Sequence, residues 1–453
     1  MATPSSHGVP LRVLLLALPL LSILIVFQLL HRPTPLPPPL LRTHADAASS
    51  SHRAEEEPSS PPLTSNVPPP PAPKPEDSSS EPTSLRHVVF GIASSKRTLP
   101  LRLPLLRLWL RAPARAFLFL DAPAPDADAR DLPPGLALRV SADASHFPYT
   151  HPRGLPSAVR VARIAGELVS ALKQQQLQEE EVRWLVLADD DTAFVLPNLL
   201  HTLRRYDHRE PWYLGARSES AAQNAWHGFA MAYGGGGIAV SWPLARRLAR
   251  VVDSCVLRYP HLYGSDARIY ACLAELGVEL THEPGFHQID LHGDISGLLR
   301  AHPLSPFVSL HHLDHVYPLY PGMDRTRAMQ HFFRAASADP ARILQQTMCI
   351  CLTPNITPEM SAKRGGLFFL KSITSGEGKT ETTYNRQPPR KCSPDLIPLK
   401  NLRLIKVTSE RLQLAPGKAL RRHCCDIAPS SSDTNIGLNI RKCEDDELIA
   451  MHS

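Results

Sequence analysis

The sequence predicts an α/β fold with a mostly parallel central sheet, and three observations carry that prediction. Strand-like and helix-like segments alternate between His87 and Leu276; Arg183 to Val195, RWLVLADDDTAFV, is an apolar run ending in three consecutive carboxylates; and Gly234 to Gly237 precede a further strand and helix. Such alternation marks crossover units, whose successive strands lie parallel and are covered on both faces.

His87 to Ile92 (HVVFGI) reads as the first strand, and the apolar segment after Ser94, Ser95, Lys96 and Arg97 as a helix between its prolines up to Trp109. Ala116 to Leu120 is a second strand, closed by Asp121. Ser157 suits a helix cap, and Val161, Ile164, Ala165, Leu168 and Leu172 then recur at helical spacing to about Gln176. After the acid-tipped strand, Pro197 opens a helix to about Tyr206, and Trp212 to Gly215 forms another strand. A short strand, Ile238 to Val240, and a helix from Pro243 to about Leu257 follow the glycines. Ser265 is placed to cap a helix to Leu276, with Ile269, Cys272, Leu273 and Leu276 on one face and Gly277 as its stop. Phe307 to Leu313 (FVSLHHL) reads as a last strand, ending in His311, His312 and Asp314, with His315 next.

Asp189, Asp190 and Asp191 sit at the carboxyl end of a buried strand, where open α/β sheets place their ligands. Three adjacent carboxylates repel one another unless a cation or another positive partner is present. Hard oxygen ligands suit Mg²⁺ or Mn²⁺, which share their coordination shell with substrate phosphates. The plainer reading is a solvated acidic turn ahead of the next helix. Histidines at a strand end beside acids make a metal constellation, with His287 in GFHQID a rival to His311 and His312, although His is common in this chain. The glycine run lets backbone approach a ligand closely or serves as a flexible loop. Asp266 lies in a first helical turn, where it at least complements the dipole.

With 453 residues there is room for two or three domains. Val13 to Leu30 is uncharged and largely apolar and, as a helix, spans roughly 27 Å, nearly a bilayer. The small-x-small cleavage pattern is missing after it, so it reads as a retained signal anchor. Arg12 and Arg32 flank it on both sides, leaving the short N-terminal tail and the large domain behind to suggest a type II orientation. From Pro33 to Thr83 the chain is rich in Pro and Ser and poor in large apolar residues, the composition of a disordered stalk. A net charge of +6 with 20% charged residues, and no aromatics interleaved with a basic cluster, exclude a nucleic-acid partner. The eight cysteines (255, 272, 349, 351, 392, 424, 425 and 443) form no CxxC pair and point to disulfides of unreadable connectivity. Asn355-Ile356-Thr357 is a glycosylation sequon followed by Pro358.

Taken in series, three segments resemble the Fringe-like glycosyltransferases, specifically the plant Fringe-related, DUF604-type proteins of glycosyltransferase family 31. WLVLADDDTAFVLPNLLHTLRRYD resembles that family's aspartate signature, YGGGGIAVSWPLARRL its glycine-rich motif, and YGSDARIYACLAELGV the segment bearing its catalytic aspartate. The likeness runs from about residue 85 to 348, lapses from Leu352 to about Thr383, where the family carries a tryptophan-containing strand region, and resumes at RKCSPDLIPL and RRHCCDI.

The resemblance implies a GT-A fold, a nucleotide-sugar donor, Mn²⁺, and inversion at the sugar carbon. It implies Asp266 as general base, and Asp191 with a histidine as metal ligands. LHHLD matches the family's FHSHLE with one residue missing, which selects His312. Asp189 joins the metal site, Asp189 and Asp190 hold the nucleotide's ribose or uracil, and Gly235, Gly236 and Gly237 line the nucleotide-sugar site. The expected organisation is a cytosolic tail (1–12), a transmembrane anchor (13–30), a stem (31–84), a catalytic domain (85–348) and a cysteine-containing region (349–453) that is atypical at about 352–383. The expected function is Golgi, luminal transfer of a sugar from a nucleotide sugar, such as a UDP-sugar, to a hydroxyl of a glycan or glycoconjugate. Two rivals stand beside it: a sugar-binding or scaffolding protein that keeps the fold without turnover, and a two-acid glycoside hydrolase, which needs no metal.

Overall fold

Val88–Ala93 (β1) runs through the middle of the central sheet with every residue buried. An apolar strand of this kind needs a neighbour on each side, and β1 has two, both parallel: β2 (Arg115–Leu120) and β4 (Trp184–Asp189). β3 (Leu136–Val140) adds to β2, again parallel. Beyond β4 the direction reverses. β7 (Ile238–Ser241) is antiparallel to β4, β6 (Tyr213–Gly215) antiparallel to β7, and β8 (Thr281–His282) parallel to β6, which gives the order β3-β2-β1-β4-β7-β6-β8. The fold is thus α/β with a mostly parallel central sheet, as expected.

The structure is a computed structural model that describes residues 81–124, 129–155, 157–174, 181–293, 306–317, 319–320, 322–341, 368–386, 402–414, 423–428, 434–445 and 447, all within the unit Pro70–Ser453. The expected anchor at Val13 to Leu30, nearly all of the stalk, and the sequon at Asn355 lie outside the described residues. Among the described residues, no helix is long and apolar enough to cross a membrane.

Helices cover both faces of the sheet. On one face α2 (Ser157–Gln174), α5 (Trp242–Val256) and α6 (Ser265–Glu275) enclose a core that includes Leu168, Leu185, Val240, Leu248 and Leu273. Gly91 lets α2 come close, since a Cβ there would stand 2.9 Å from Leu168. A Cys255–Cys272 disulfide ties α5 to α6. The other face is covered by α1 (Leu99–Trp109), α3 (Leu196–Leu203) and α7 (Arg325–Ala338). There the rings of Phe90, Trp109 and Phe194 meet with centroids 5.1–5.4 Å apart, joining β1, α1 and the short β5 (Ala193–Phe194). Side chains buried to this degree contribute about 1.5–3 kcal/mol each.

Three expectations need correction. The helix expected behind a Ser265 cap is capped by Gly264, and the Ser265 hydroxyl instead donates to Asp266 Oδ1 at 3.0 Å. Ser157 is the first helical residue rather than a residue outside the helix. Of the strand expected at Phe307 to Leu313 only β9 (Ser309–Leu310) pairs, because its partner β5 is two residues long and His312 turns away with a φ of +51°. Not anticipated were β3, α4 (Ala221–His227), α7, and a five-stranded sheet ordered β10-β11-β12-β14-β13. Its members are β10 (Phe368–Gly376), β11 (Lys379–Arg386), β12 (Leu404–Glu410), β13 (Cys424–Ala428) and β14 (Asn435–Arg441). The hairpin of β10 and β11, whose residues 368–383 fall within the segment where the resemblance lapses, pairs antiparallel with a shift of register between Leu370 and Ser372. Its two-residue turn, Glu377 and Gly378, has φ values of +48° and +77°, as a type I′ turn requires. Leu370, Tyr384 and Ile405 bury into the same core as β1, and His331 Nε2 on α7 donates to the Leu370 carbonyl at 2.9 Å.

Candidate functional site

The apolar run of β4 stops at Asp189, and a tight turn follows. Thr192 holds it: its hydroxyl accepts from the Asp189 N–H at 3.2 Å and donates to the Gly235 carbonyl at 2.8 Å. One short contact thereby joins the acidic motif to the glycine run.

The three acids have separate surroundings. Asp190 turns toward the loop before α1, where Ser94 and Thr98 each donate to its Oδ2 at 2.7 Å and Arg102 Nε approaches Oδ1 at 3.4 Å. Burial raises its pKa against those bonds. Asp191 is buried beneath β9: His311 Nε2 lies 2.9 Å from its Oδ1 and an Arg102 nitrogen 3.3 Å from its Oδ2. Burial pushes this carboxyl up, but the His311 hydrogen bond and the charges of His311, Arg102 and His312 overcome it and hold the pKa at about 2. Asp189 faces the opening, its side chain 42% exposed and 3.6 Å from His311 Nε2. The surrounding protein still crowds out enough water that burial, opposed by His311 and reinforced by the neighbouring carboxylates, raises its pKa to about 7.

Both ring nitrogens of His311 face acceptors, since Nδ1 lies 3.1 Å from the Gln288 carbonyl while Nε2 meets Asp191. Only imidazolium donates from both. Accordingly the carboxylates outweigh burial and raise its pKa to about 9.

The His312 ring packs against that of His311, tilted by 33° with centroids 3.7 Å apart, and places Nδ1 3.3 Å from Asp290 Oδ1. One donor atom each from Asp191, His311 and His312 lies within 4.8 Å of the others. This set fits a divalent cation. A carboxylate with two imidazoles is a borderline donor set open to Mn²⁺, and the Nδ1–H to Gln288 bond fixes the His311 tautomer that leaves Nε2 free to ligate. His287 stands apart, with Nδ1 2.9 Å from Glu219 Oε1 and its ring against Phe307.

The glycine run closes over this cluster as a 3₁₀ turn, Gly234–Gly236. A Cβ at Gly235 would run into the His311 ring; one at Gly234 would stand 2.7 Å from Asp266 Oδ1; one at Gly237, where φ is +98°, would stand 3.0 Å from Phe194. The Gly236 N–H donates to Gln288 Oε1 at 2.7 Å, and Ser309 Oγ donates to the Gly236 carbonyl. These glycines are needed so that the site's own side chains can reach the backbone.

Asp266 enters from the first turn of α6. The Gly234 N–H and the Ser265 hydroxyl donate to it, but burial dominates and raises its pKa, with Asp290 adding to the rise and His311 opposing it. A partly desolvated carboxylate of raised basicity is suited to take a proton. Nearby, the Tyr233 phenol has no hydrogen-bond partner among the described residues, and burial together with Asp290 and Asp266 raises its pKa to about 12.

The acids, the glycines, His311 and His312 thus reach one region, with His311 rather than His312 in direct contact with Asp191, while the rival His287 pairs with Glu219 outside the cluster. Arg102, Asp290, Gln288, Ser94 and Thr98 escaped sequence reasoning. One signal was present: Thr98 and Arg102 are four residues apart and share a helical face toward Asp190. Arg102 also meets Asp314 Oδ2 at 3.2 Å, so one guanidinium serves three carboxylates.

Residues 223–362 match the family described as "Protein of unknown function, DUF604". The chain is 37% identical over 108 residues to a mouse (Mus musculus) β-1,3-glucosyltransferase, and 34% identical over 110 residues to the human (Homo sapiens) β-1,3-glucosyltransferase. Each alignment covers 24% of this chain and 21% of the relative. The chain thus spans about a fifth of the length of these curated relatives, and the likeness supports a glycosyltransferase family.

Proposed function

We propose that this chain is an inverting, metal-dependent glycosyltransferase of GT-A type, resembling the plant Fringe-related proteins, that moves a sugar from a nucleotide sugar such as a UDP-sugar to a hydroxyl of a glycan or glycoconjugate. The observation that carries the reading is the convergence of Asp191, His311 and His312, with His311 against Gly235 and Asp266 against the neighbouring Gly234. A cation site and a separate base are the two parts that such a transfer needs.

When bound, Mn²⁺ or Mg²⁺ would neutralise the developing charge on the leaving diphosphate, held by Asp191 and His311 with His312 and Asp189 beside them. Asp266 takes the proton from the acceptor hydroxyl as its oxygen forms the new bond to the anomeric carbon. The bond from that carbon to the diphosphate oxygen breaks, and the nucleoside diphosphate leaves with the electron pair. Asp189, exposed at the opening, meets the nucleotide directly. Asp190 acts from behind by fixing the loop before α1 through Ser94 and Thr98. Gly235, Gly236 and Gly237 serve the donor site by letting His311 and Phe194 close on the backbone.

The proposal includes a type II Golgi membrane protein, anchored by Val13 to Leu30 with the catalytic domain luminal. Its support is the length and apolarity of that segment and the missing cleavage pattern. The test is a screen of the full chain against nucleotide sugars for Mn²⁺-dependent nucleotide release. Asp191→Ala should abolish release and Mn²⁺ binding while the protein stays folded. Unchanged Mn²⁺ affinity in that variant would show that the metal lies elsewhere.

A further inference from the structure

The orientation of His311 depends on one peptide group outside the cation cluster. The peptide joining Gln288 to Ile289 turns its carbonyl to His311 Nδ1 at 3.1 Å and donates its N–H to Glu219 Oε2 at 2.8 Å. A trans peptide is planar and its N–H and C=O point in opposite directions, so His311 and Glu219 hold one rigid plate from its two sides. The second carboxylate oxygen, Oε1, lies 2.9 Å from Nδ1 of the buried His287, and the Glu219 side chain is only 11% exposed. Both oxygens of this carboxylate thus engage residues 287–290.

That segment needs a hold. Ile289 is buried and sits at a φ of +54°, in the left-handed region that β-branched side chains rarely occupy. Strain of this kind persists only where the surroundings over-determine the conformation. Rotating the peptide between Gln288 and Ile289 would return Ile289 to a negative φ, and would swing the Gln288 carbonyl away from His311. The bond from the Ile289 N–H to Glu219 opposes that rotation. Ser218, the neighbour of Glu219, secures the far end of the segment by donating its hydroxyl to Asp290 Oδ2 at 2.7 Å, while Asp290 Oδ1 lies 3.3 Å from His312 Nδ1. Ser218 is itself bracketed by Asn224 of α4, whose Oδ1 accepts from the Ser218 N–H at 3.1 Å and whose Nδ2 donates to the Ser218 carbonyl at 2.7 Å.

We propose that Glu219 is a positioning residue for the cation site: it locks the peptide between Gln288 and Ile289 so that the carbonyl fixes the His311 Nδ1–H and leaves Nε2 aimed at Asp191 and the ion. The inference rests on the cation site proposed above and adds the residue that orients its buried histidine. Glu219 acts through the peptide and not by ligating. A histidine ligand is oriented by the acceptor on its far nitrogen, and loss of such an outer partner weakens metal binding by about 10–100-fold. Here the acceptor is a neutral carbonyl, and the anionic carboxylate on the same peptide's N–H polarises that peptide and makes its oxygen a stronger acceptor. Ser218 supports His312 in the same way through Asp290.

The experiment follows the His311 Nδ1–H by NMR of isotope-labelled histidine in the metal-free full chain, with His311→Gln assigning the signal, and Mn²⁺ affinity by calorimetry on the same preparations. The wild type should show a slowly exchanging Nδ1–H and should bind Mn²⁺. Glu219→Ala should lose the slow exchange and weaken Mn²⁺ binding tenfold or more. Glu219→Gln, whose single acceptor oxygen can still serve the Ile289 N–H, should lose less affinity while its Nδ1–H exchange rate at least doubles. Adding Ile289→Gly to Glu219→Ala separates positioning from bulk stability. Glycine adopts a positive φ without strain, so Mn²⁺ affinity should recover in part even as the melting temperature falls further. The inference is overturned if Glu219→Ala keeps the slow Nδ1–H and the wild-type Mn²⁺ affinity, or if affinity in the double variant only follows the melting temperature down. Should Glu219→Ala not fold, Glu219→Gln decides, and wild-type exchange there overturns the inference. A wild type that binds no Mn²⁺ sinks the cation site itself, whereas a wild type that binds it and a Glu219→Ala that matches it sink this inference alone.

Discussion

His311 and Asp191 form a buried ion pair, Nε2 to Oδ1 at 2.9 Å, between β9 and the end of β4. The imidazole is 3% exposed as a side chain and the carboxylate 12%, so the pair is shielded from screening by salt. The same atoms are the proposed metal ligands. On the proposed function, proton and metal would compete for one nitrogen, and the site would have two forms, one charged by itself and one charged by the ion.

That competition has a sign. In the metal-free protein His311 is raised to about 9, so its contribution to stability is complete below its ordinary value of about 6.5 and is lost as pH rises through 9. Asp191 is lowered to about 2, so its contribution is present above the ordinary carboxylate value of about 3.9 and is lost as pH falls through 2. The pair's own contribution should be greatest between roughly pH 4 and 6.5, with Asp189, raised to about 7, opposing folding increasingly as pH climbs from about 4 through 7; Mn²⁺ affinity should rise from pH 6 to 9 as the proton leaves His311. Denaturant titrations across this range, with His311→Gln removing the alkaline decline, check the first. An Mn²⁺ affinity that does not change with pH would mean that His311 is not a ligand.

Arg102 acts as the counter-ion of Asp190, Asp191 and Asp314. Arg102→Met keeps most of the side chain's bulk but leaves two buried carboxylates short of a cation. Its side chain is about one-quarter exposed, so the loss should be roughly 1–3 kcal/mol, below that for a fully buried pair. Mn²⁺ should recover part of it. Melting temperatures with Mn²⁺ and with a chelator provide the measurement, and an equal loss in both would disconnect Arg102 from the cation site.

Gly235→Ala tests the roof of the site. The added Cβ meets the His311 ring, which is fixed at both nitrogens and cannot yield cheaply. Mn²⁺ affinity should fall tenfold or more, with a lowered melting temperature. Gly376→Ala, where a Cβ meets nothing within 4 Å, is the control and should leave both unchanged.

The strands that position the site were readable because burial on both faces writes itself as a short apolar run, as in WLVLA of β4 and VVFGI of β1. Leu136–Val140 was not, since it buries only Leu136 and pairs on one side, and the two-residue β8 leaves no periodicity to detect. Asp189 to Asp191, the glycines and Asp266 were readable as local motifs. Gln288 and Asp290 sit beside His287 in GFHQID without forming a motif of their own, and Arg102 reaches the site from a segment whose one signal is its four-residue spacing from Thr98. Between His311 and His312 the decision rests on one dihedral, the positive φ at His312, which adjacent residues of identical type do not reveal.

The final prediction concerns Asp266, which has a competent structural role as well as a proposed chemical one. Its carboxylate accepts from the Gly234 N–H and the Ser265 hydroxyl at the start of α6, and the carbonyl oxygen of an asparagine accepts from the same donors. If Asp266 serves only the helix terminus, Asp266→Asn should cost about 0.3–1 kcal/mol and leave transfer nearly intact. As general base the cost falls elsewhere. Asparagine cannot take the acceptor's proton, so transfer should drop by roughly 10² to 10⁴ while UDP and Mn²⁺ affinities stay near those of the wild type. Melting temperature, nucleotide affinity and transfer rate on one Asp266→Asn preparation separate the two roles. Transfer at near the wild-type rate would return Asp266 to the helix terminus alone.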